Sequence, residues 1–259
     1  MIELKHLQAL TDRDGAPLHL RLPSGAIYGI LGPAGAGKER LLSLLAGSAQ
    51  ELGGSVKIGG FDTKTDSIRA RSCTGFLPKG APLYGEMTVG NFLHFLAAAR
   101  SVAYESAMRQ IQNLLDTADL SDCKHTRIRD LTPSERARLA VLQTAVGSVD
   151  TLVLDTPFFA LGEQDAKQVG TLISLLARER TVFVSSPNPD HLLPLCDRLL
   201  VLDRGRLVSD VLPSEFSTAE YRELCRRANT AKKEEAAKKP LPEREGKYEL
   251  IDEESEDDR

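Results

Sequence analysis

Residues Gly32-Pro33-Ala34-Gly35-Ala36-Gly37-Lys38 have the spacing G-x-x-x-x-G-K, which suits a backbone cradle for phosphate oxygens with a lysine closing over them. Glycine lets the chain wrap an anion closely, and a helix starting at the lysine aims its free N–H groups at the same point. The chemistry changes one residue later. A serine or threonine hydroxyl there would ligate Mg²⁺, but this chain has Glu39, followed by Arg40. Two unit charges about 4 Å apart interact by about 4 kcal/mol at an effective dielectric near 20, so a carboxylate at this point opposes phosphate. Magnesium ligated by that longer carboxylate would reverse the sign. A second acid, Asp155, ends the apolar run Thr151-Leu152-Val153-Leu154, and Thr156 follows it. Lys38 is therefore either directed at phosphate or a structural ion-pair partner of Glu39 or Asp155.

The elements around these residues are those that such a loop requires. Ala26-Ile27-Tyr28-Gly29-Ile30-Leu31 reads as a buried strand entering the glycine loop, and Arg40 to Ala46 continue as a helix that ends near Gly47. Further strands are expected at Ser55–Ile58, Cys73–Leu77 (stopped by Pro78), Thr151–Leu154, Thr181–Ser185 and Leu199–Leu202, with Gly205 turning into Leu207-Val208. Between Val89 and about Gly147 the pattern is helical. Phe92, Phe95, Leu96 and Ala99 share one helical face, and Ile111, Leu114, Leu115 and Ala118 share another. Thr132-Pro133-Ser134-Glu135 supplies a cap for a helix running through Leu139, Leu142 and Val146, and residues 164–179 form a further helix. Apolar strands alternating with helices predict an α/β fold: a largely parallel sheet covered on both faces, with a helical insertion at 89–147.

Composition narrows the class. Hydrophobic residues at 41% and charged residues at 27% fit a soluble globular chain. No apolar run reaches the roughly 18 residues of a membrane span, and the start lacks the basic-then-apolar form of a secretory signal. A net charge of −4 argues against broad attraction to nucleic acid. Cys73, Cys123, Cys196 and Cys225 are scattered, which predicts free thiols in a cytosolic setting, and the five histidines show no ligand spacing, so no metal is assigned. From Ala231 onward 7 Lys or Arg stand against 11 Asp or Glu, leaving the first 230 residues balanced at 26 of each sign. Pro240 and Pro242 interrupt helix there, and Asp252 to Asp258 offer nothing apolar to bury, so 231–259 is expected to be a charged, disordered tail.

Taken in order, these segments resemble the ATP-binding subunit of an ABC transporter, over about residues 1–213. Gly32 to Lys38 match its Walker A loop, and Gly75-Phe76-Leu77-Pro78 with Leu83 to Val89 match the segment entering its helical subdomain. Leu152-Val153-Leu154-Asp155-Thr156-Pro157 match the Walker B strand and exit, and Cys196 to Val208 look like the final strand pair. The resemblance implies a P-loop NTPase fold of ABC ATPase type, with residues 214–230 as a C-terminal helical extension. It implies ATP and Mg²⁺ as cofactors, with Gly32, Gly35, Gly37, Lys38, Glu39, Arg40 and Asp155 at the cofactor positions. It also implies a cytoplasmic location on the inner face of the plasma membrane, a membrane permease and a second ABC ATPase-like subunit as partners, and a dimer.

The chain departs from the family pattern where the family does its chemistry. Lys79 stands at the Q-loop glutamine, Leu131-Thr132-Pro133-Ser134-Glu135 at the Leu-Ser-Gly-Gly-Gln signature, and Gly162 at the D-loop aspartate. Thr156 replaces the glutamate that polarises water, and Pro187 the switch histidine; no convincing adenine-stacking aromatic lies around Leu10-Thr11-Asp12. Pro133 also lacks the backbone N–H that glycine would offer a γ-phosphate. The resulting expectation is a pseudo-ATPase subunit of a transport system, structural or regulatory, with weak or absent nucleotide binding. The alternatives are a weakly hydrolysing subunit and a soluble interaction protein without nucleotide.

Overall fold

The computed structural model describes residues 1–12, 14–49 and 53–238. Its strands in chain order are β1 (Ile2–Thr11), β2 (Pro17–Leu22), β3 (Ile27–Leu31), β4 (Ser55–Ile58), β5 (Phe61–Asp62), β6 (Thr74–Leu77), β7 (Thr151–Leu154), β8 (Thr181–Ser185), β9 (Arg198–Asp203) and β10 (Arg206–Val211). The helices are α1 (Lys38–Leu45), α2 (Ser67–Ser72), α3 (Val89–Ala99), α4 (Tyr104–Thr117), α5 (Pro133–Leu142), α6 (Glu163–Ala177) and α7 (Thr218–Lys238).

All ten strands join one sheet in the order β5-β4-β1-β10-β9-β3-β8-β7-β6, with β2 on β1. The segment from β9 to β6 is parallel throughout, as the alternation of strands and helices predicts. The other half is mostly antiparallel: β10 turns back on β9, and β1 pairs antiparallel with β2 and β4. Short glycine turns such as the one at Gly205 leave room only for antiparallel return, whereas the parallel strands are separated by helical crossovers.

Strands β3, β7 and β8 are buried from end to end, which is why they read as continuous apolar runs. Their side chains still alternate between two cores. Leu152, Leu154, Val182 and Val184 face the side covered by α6 and the helical insertion. Val153 and Phe183 face the side covered by α1, where Phe183 stacks on Tyr28 at 5.1 Å.

The insertion lies between β6 and β7 and holds α3, α4 and α5. Ile111, Leu114, Leu115 and Ala118 are buried as their spacing predicts. The face of α3 is rotated from the predicted one: Phe92, Leu93 and Ala97 are buried, while Phe95 is 49% exposed and lies edge-on to Tyr84. The 3.6-residue period allows both faces, and packing against α4 selects the one containing Leu93. Thr132 caps α5 as expected. It accepts the Glu135 N–H, and Glu135 in turn accepts the Thr132 N–H at 2.8 Å, with Pro133 in the first turn.

Helix α6 begins and ends within two residues of the predicted 164–179. Helix α7 continues to Lys238, eight residues into the segment expected to be a tail, and residues 239–259 of that tail lie outside the described residues. Among the described residues no helix is long and apolar enough to cross a membrane.

Candidate phosphate-binding site

Strand β3 delivers Gly32 into the loop, and α1 starts at Lys38, directly after Gly37. Gly37 caps the helix with a left-handed backbone (φ 98°), a conformation that glycine adopts without strain. At Gly32 space is the constraint, because a Cβ there would lie 2.4 Å from the Leu202 carbonyl oxygen. The β9–β10 turn supports the loop from that side, the Gly205 N–H donating to the Ala36 carbonyl at 2.9 Å. Gly35 is also left-handed (φ 84°).

Lys38 is half-buried and turned onto its own loop. Its ammonium donates to the carbonyls of Gly32 (2.6 Å) and Pro33 (2.9 Å) rather than to a carboxylate, so the ion-pair alternative is not the arrangement found. Burial lowers the Lys38 pKa from the usual lysine value, against the raising fields of Asp155, Cys225 and Glu39, while Lys79 adds to the lowering. Glu39 is exposed in the first turn of α1, with Arg40 beside it. Lys38→Ala is expected to cost less than about 1 kcal/mol in chemical denaturation, since the lost carbonyl bonds are offset by removal of a half-buried charge. A loss of several kcal/mol would show that the lysine holds the fold.

The ends of β7 and β8 form the opposite wall. Asp155 is 6% exposed, and its Oδ1 accepts from the Ser185 hydroxyl at 2.7 Å. The same hydroxyl oxygen accepts the Thr156 N–H at 2.9 Å. Thr156 has φ 50°, a left-handed conformation that costs a β-branched residue about 1–2 kcal/mol, and its Oγ1 is buried without a hydrogen-bond partner. Thr156→Gly is expected to raise stability by about 1 kcal/mol, or about 2–4 °C in Tm for a chain of this size. A fall in Tm would show that the strain assignment is wrong.

The remaining predicted positions divide into two groups. Pro187 follows β8 by two residues, and Lys79 follows β6, its ammonium 6.0 Å from the centre of the exposed Phe159 ring. Both lie at the same carboxyl edge of the sheet as Lys38 and Asp155. Leu131-Thr132-Pro133-Ser134-Glu135 instead belongs to the helical insertion. There Leu131 is buried, Thr132 and Glu135 complete their cap, and Ser134 donates to Gln168 of α6 at 2.9 Å. Gly162 caps α6 without a side-chain bond. Hydrogen bonds from Thr132 lower the Glu135 pKa, consistent with a capping carboxylate.

For a polyphosphate, the residues present fit: a glycine loop with no room for a Cβ at Gly32, a helix N-terminus and a lysine. For magnesium, the oxygens present are those of the exposed Glu39 carboxylate, which follows Lys38 where a small hydroxyl is expected, and of Asp155, whose Oδ1 is engaged by Ser185. Two site residues escaped the sequence reading. Ser185 carried a weak signal, a small polar residue at the end of an apolar strand. Tyr221 carried none, because its partners are 189 and 34 residues away.

The sequence profile of the ABC transporter family matches residues 16–159. The chain is 27% identical over 190 residues to human ATP-binding cassette sub-family A member 2, covering 73% of this chain and 8% of that protein. It is 29% identical over 197 residues to the Nod factor export ATP-binding protein I of Burkholderia orbicola, covering 76% of this chain and 65% of that one. The chain thus spans less than two thirds of either relative. Among solved structures, a dimeric ATP-binding cassette in a post-hydrolysis state, bound to ADP and Pi, aligns with a TM-score of 0.70 at 19% identity, covering 83% of this chain and all of that one. An ATP-binding subunit of an ABC transporter aligns with a TM-score of 0.72 at 17% identity, covering 86% and 99%. The α/β P-loop fold with its inserted helical subdomain is therefore the ABC ATPase fold.

Proposed function

The chain belongs to the ABC transporter family as an ATP-binding domain, and from that premise we propose that it is a non-hydrolysing, ATPase-like subunit of a transport system, structural or regulatory in role, with weak or absent nucleotide binding. The observation that carries this reading is Thr156. The position after Asp155, where a carboxylate would polarise water, holds a strained threonine whose hydroxyl is buried without a partner. Glu39 at the start of α1, Pro133 and Pro187 support it, since each replaces a group that would stabilise phosphate or its metal.

ABC ATPase domains act as head-to-tail pairs, with each nucleotide between one chain's phosphate loop and the other's signature. In such a pair, whether with a copy or with a competent relative, one site would use Glu39 and the other Pro133, so both would be altered. That favours a structural or regulatory position over a power-stroke subunit. A membrane permease would dock from the inner face of the membrane near Lys79 to Val89, where Tyr84 is 59% exposed and Phe95 of α3 lies against it. The test is ATP hydrolysis by the membrane assembly that copurifies with the chain. Since both sites of any pair containing this chain are altered, hydrolysis by that assembly is expected to come from other ATPase chains and to persist when this chain carries Lys38→Ala, and loss of it in that variant would overturn the proposal.

A further inference from the structure

Tyr221, Leu224 and Cys225 lie three and four residues apart and so share one face of α7. Phe216, Leu224 and Cys225 pack on the core, and Tyr221 is 5% exposed. The Tyr221 hydroxyl accepts the Gly32 N–H at 3.2 Å and donates to the Pro187 carbonyl at 3.3 Å. Burial raises its pKa, so it remains a neutral donor. Gly32 and Pro187 follow the neighbouring parallel strands β3 and β8. Tyr221 thus joins their carboxyl ends, the edge where parallel sheets bind ligands.

Gly32 is held from both sides, its N–H by Tyr221 and its carbonyl by the Lys38 ammonium. One turn further along α7, Cys225 packs on the same core. Beside these contacts, a cleft of about 530 Å³ separates α7 from the 187–190 loop, lined by Asn188, Asp190, Arg222 and Arg226. The hydroxyl of Tyr221 thus bridges two loops at the rim of open space.

We infer that α7 is a latch on the phosphate loop: while Tyr221 is seated, its hydroxyl fixes the Gly32 N–H and the Pro187 carbonyl, and a polyphosphate engages the loop fully only when that seat is open. The inference rests on the reading of this loop as a weak nucleotide site, and adds a second restraint to Glu39. Apparent affinity falls in proportion to the fraction of molecules that are open. Loss of two hydrogen bonds of modest net strength raises that fraction about five- to tenfold.

The test uses Tyr221→Phe, which keeps the ring and its packing. Without nucleotide, amide exchange in residues 29–38 and 186–190 is expected to quicken in this variant, and unchanged exchange would overturn the latch. ATP affinity is then measured by calorimetry in the Glu39→Ser background. The double variant is expected to bind about five- to tenfold more tightly than Glu39→Ser alone. Faster exchange with unchanged or weaker ATP binding would show that the contact is structural and not a gate. Tight binding by Glu39→Ser that Tyr221→Phe does not improve would sink the latch while upholding the role of Glu39. Absence of ATP binding in both Glu39→Ser forms would overturn the gate and the Glu39 reading together.

Discussion

Replacing Glu39 by serine tightens MgATP binding by about 10- to 100-fold. Glu39 lies in the first turn of α1, next to the lysine and the helix N-terminus that attract phosphate. Charges about 4 Å apart interact by about 1 kcal/mol in water and about 4 kcal/mol at an effective dielectric of 20. An exposed carboxylate beside a loop falls between these limits, which corresponds to that range of affinity. Serine also restores a small oxygen ligand for the metal. Folding stability should move the other way, by up to about 1 kcal/mol, because an acid in the first turn favours the helix dipole. Calorimetry on both forms decides it: tight binding by the original chain, unchanged or weakened in Glu39→Ser, would defeat the electrostatic argument.

No phosphate release traceable to its own site is expected from the purified chain, and Thr156→Glu alone does not restore rapid turnover. General-base catalysis contributes a factor of roughly 10² to 10⁴, so with threonine after Asp155 most activity is expected to be lost. A glutamate at this position would inherit the left-handed backbone of Thr156 and the hydrogen bond that ties its N–H to Ser185. Glu39, Pro133 and Pro187 would still leave phosphate and metal without their donors. Robust magnesium-dependent release by the original chain, abolished by Lys38→Ala, would reveal a different catalytic arrangement. The assay is repeated with a hydrolysis-competent relative present, because a composite site forms only between two chains.

The central strands, the loop and the cap of α5 were legible because each depends on residues close in sequence. An apolar run bounded by glycine or proline, a G-x-x-x-x-G-K spacing and a Thr-Pro-Ser-Glu start carry their own geometry. The antiparallel half of the sheet was less legible. β1 and β2 mix buried and exposed residues, and their pairing with β4 and β10 depends on where separated segments meet.

The sequence by itself determined which residue types stand at the loop and the strand ends: a G-x-x-x-x-G-K loop followed by Glu39, Asp155 followed by Thr156, and Pro187 two residues after Ser185. Those are matters of residue type, and folding cannot change them. Only the tertiary structure decided how the survivors are used. It turned Lys38 onto the Gly32 and Pro33 carbonyls, bound Asp155 to Ser185, rotated α3 so that Phe95 is exposed, and brought Tyr221 to Gly32. Each of these results from packing or from contacts between elements, and the last joins residues 189 positions apart. Local spacing has no means of encoding a meeting at that separation, which exists only once β3, β8 and α7 share one core.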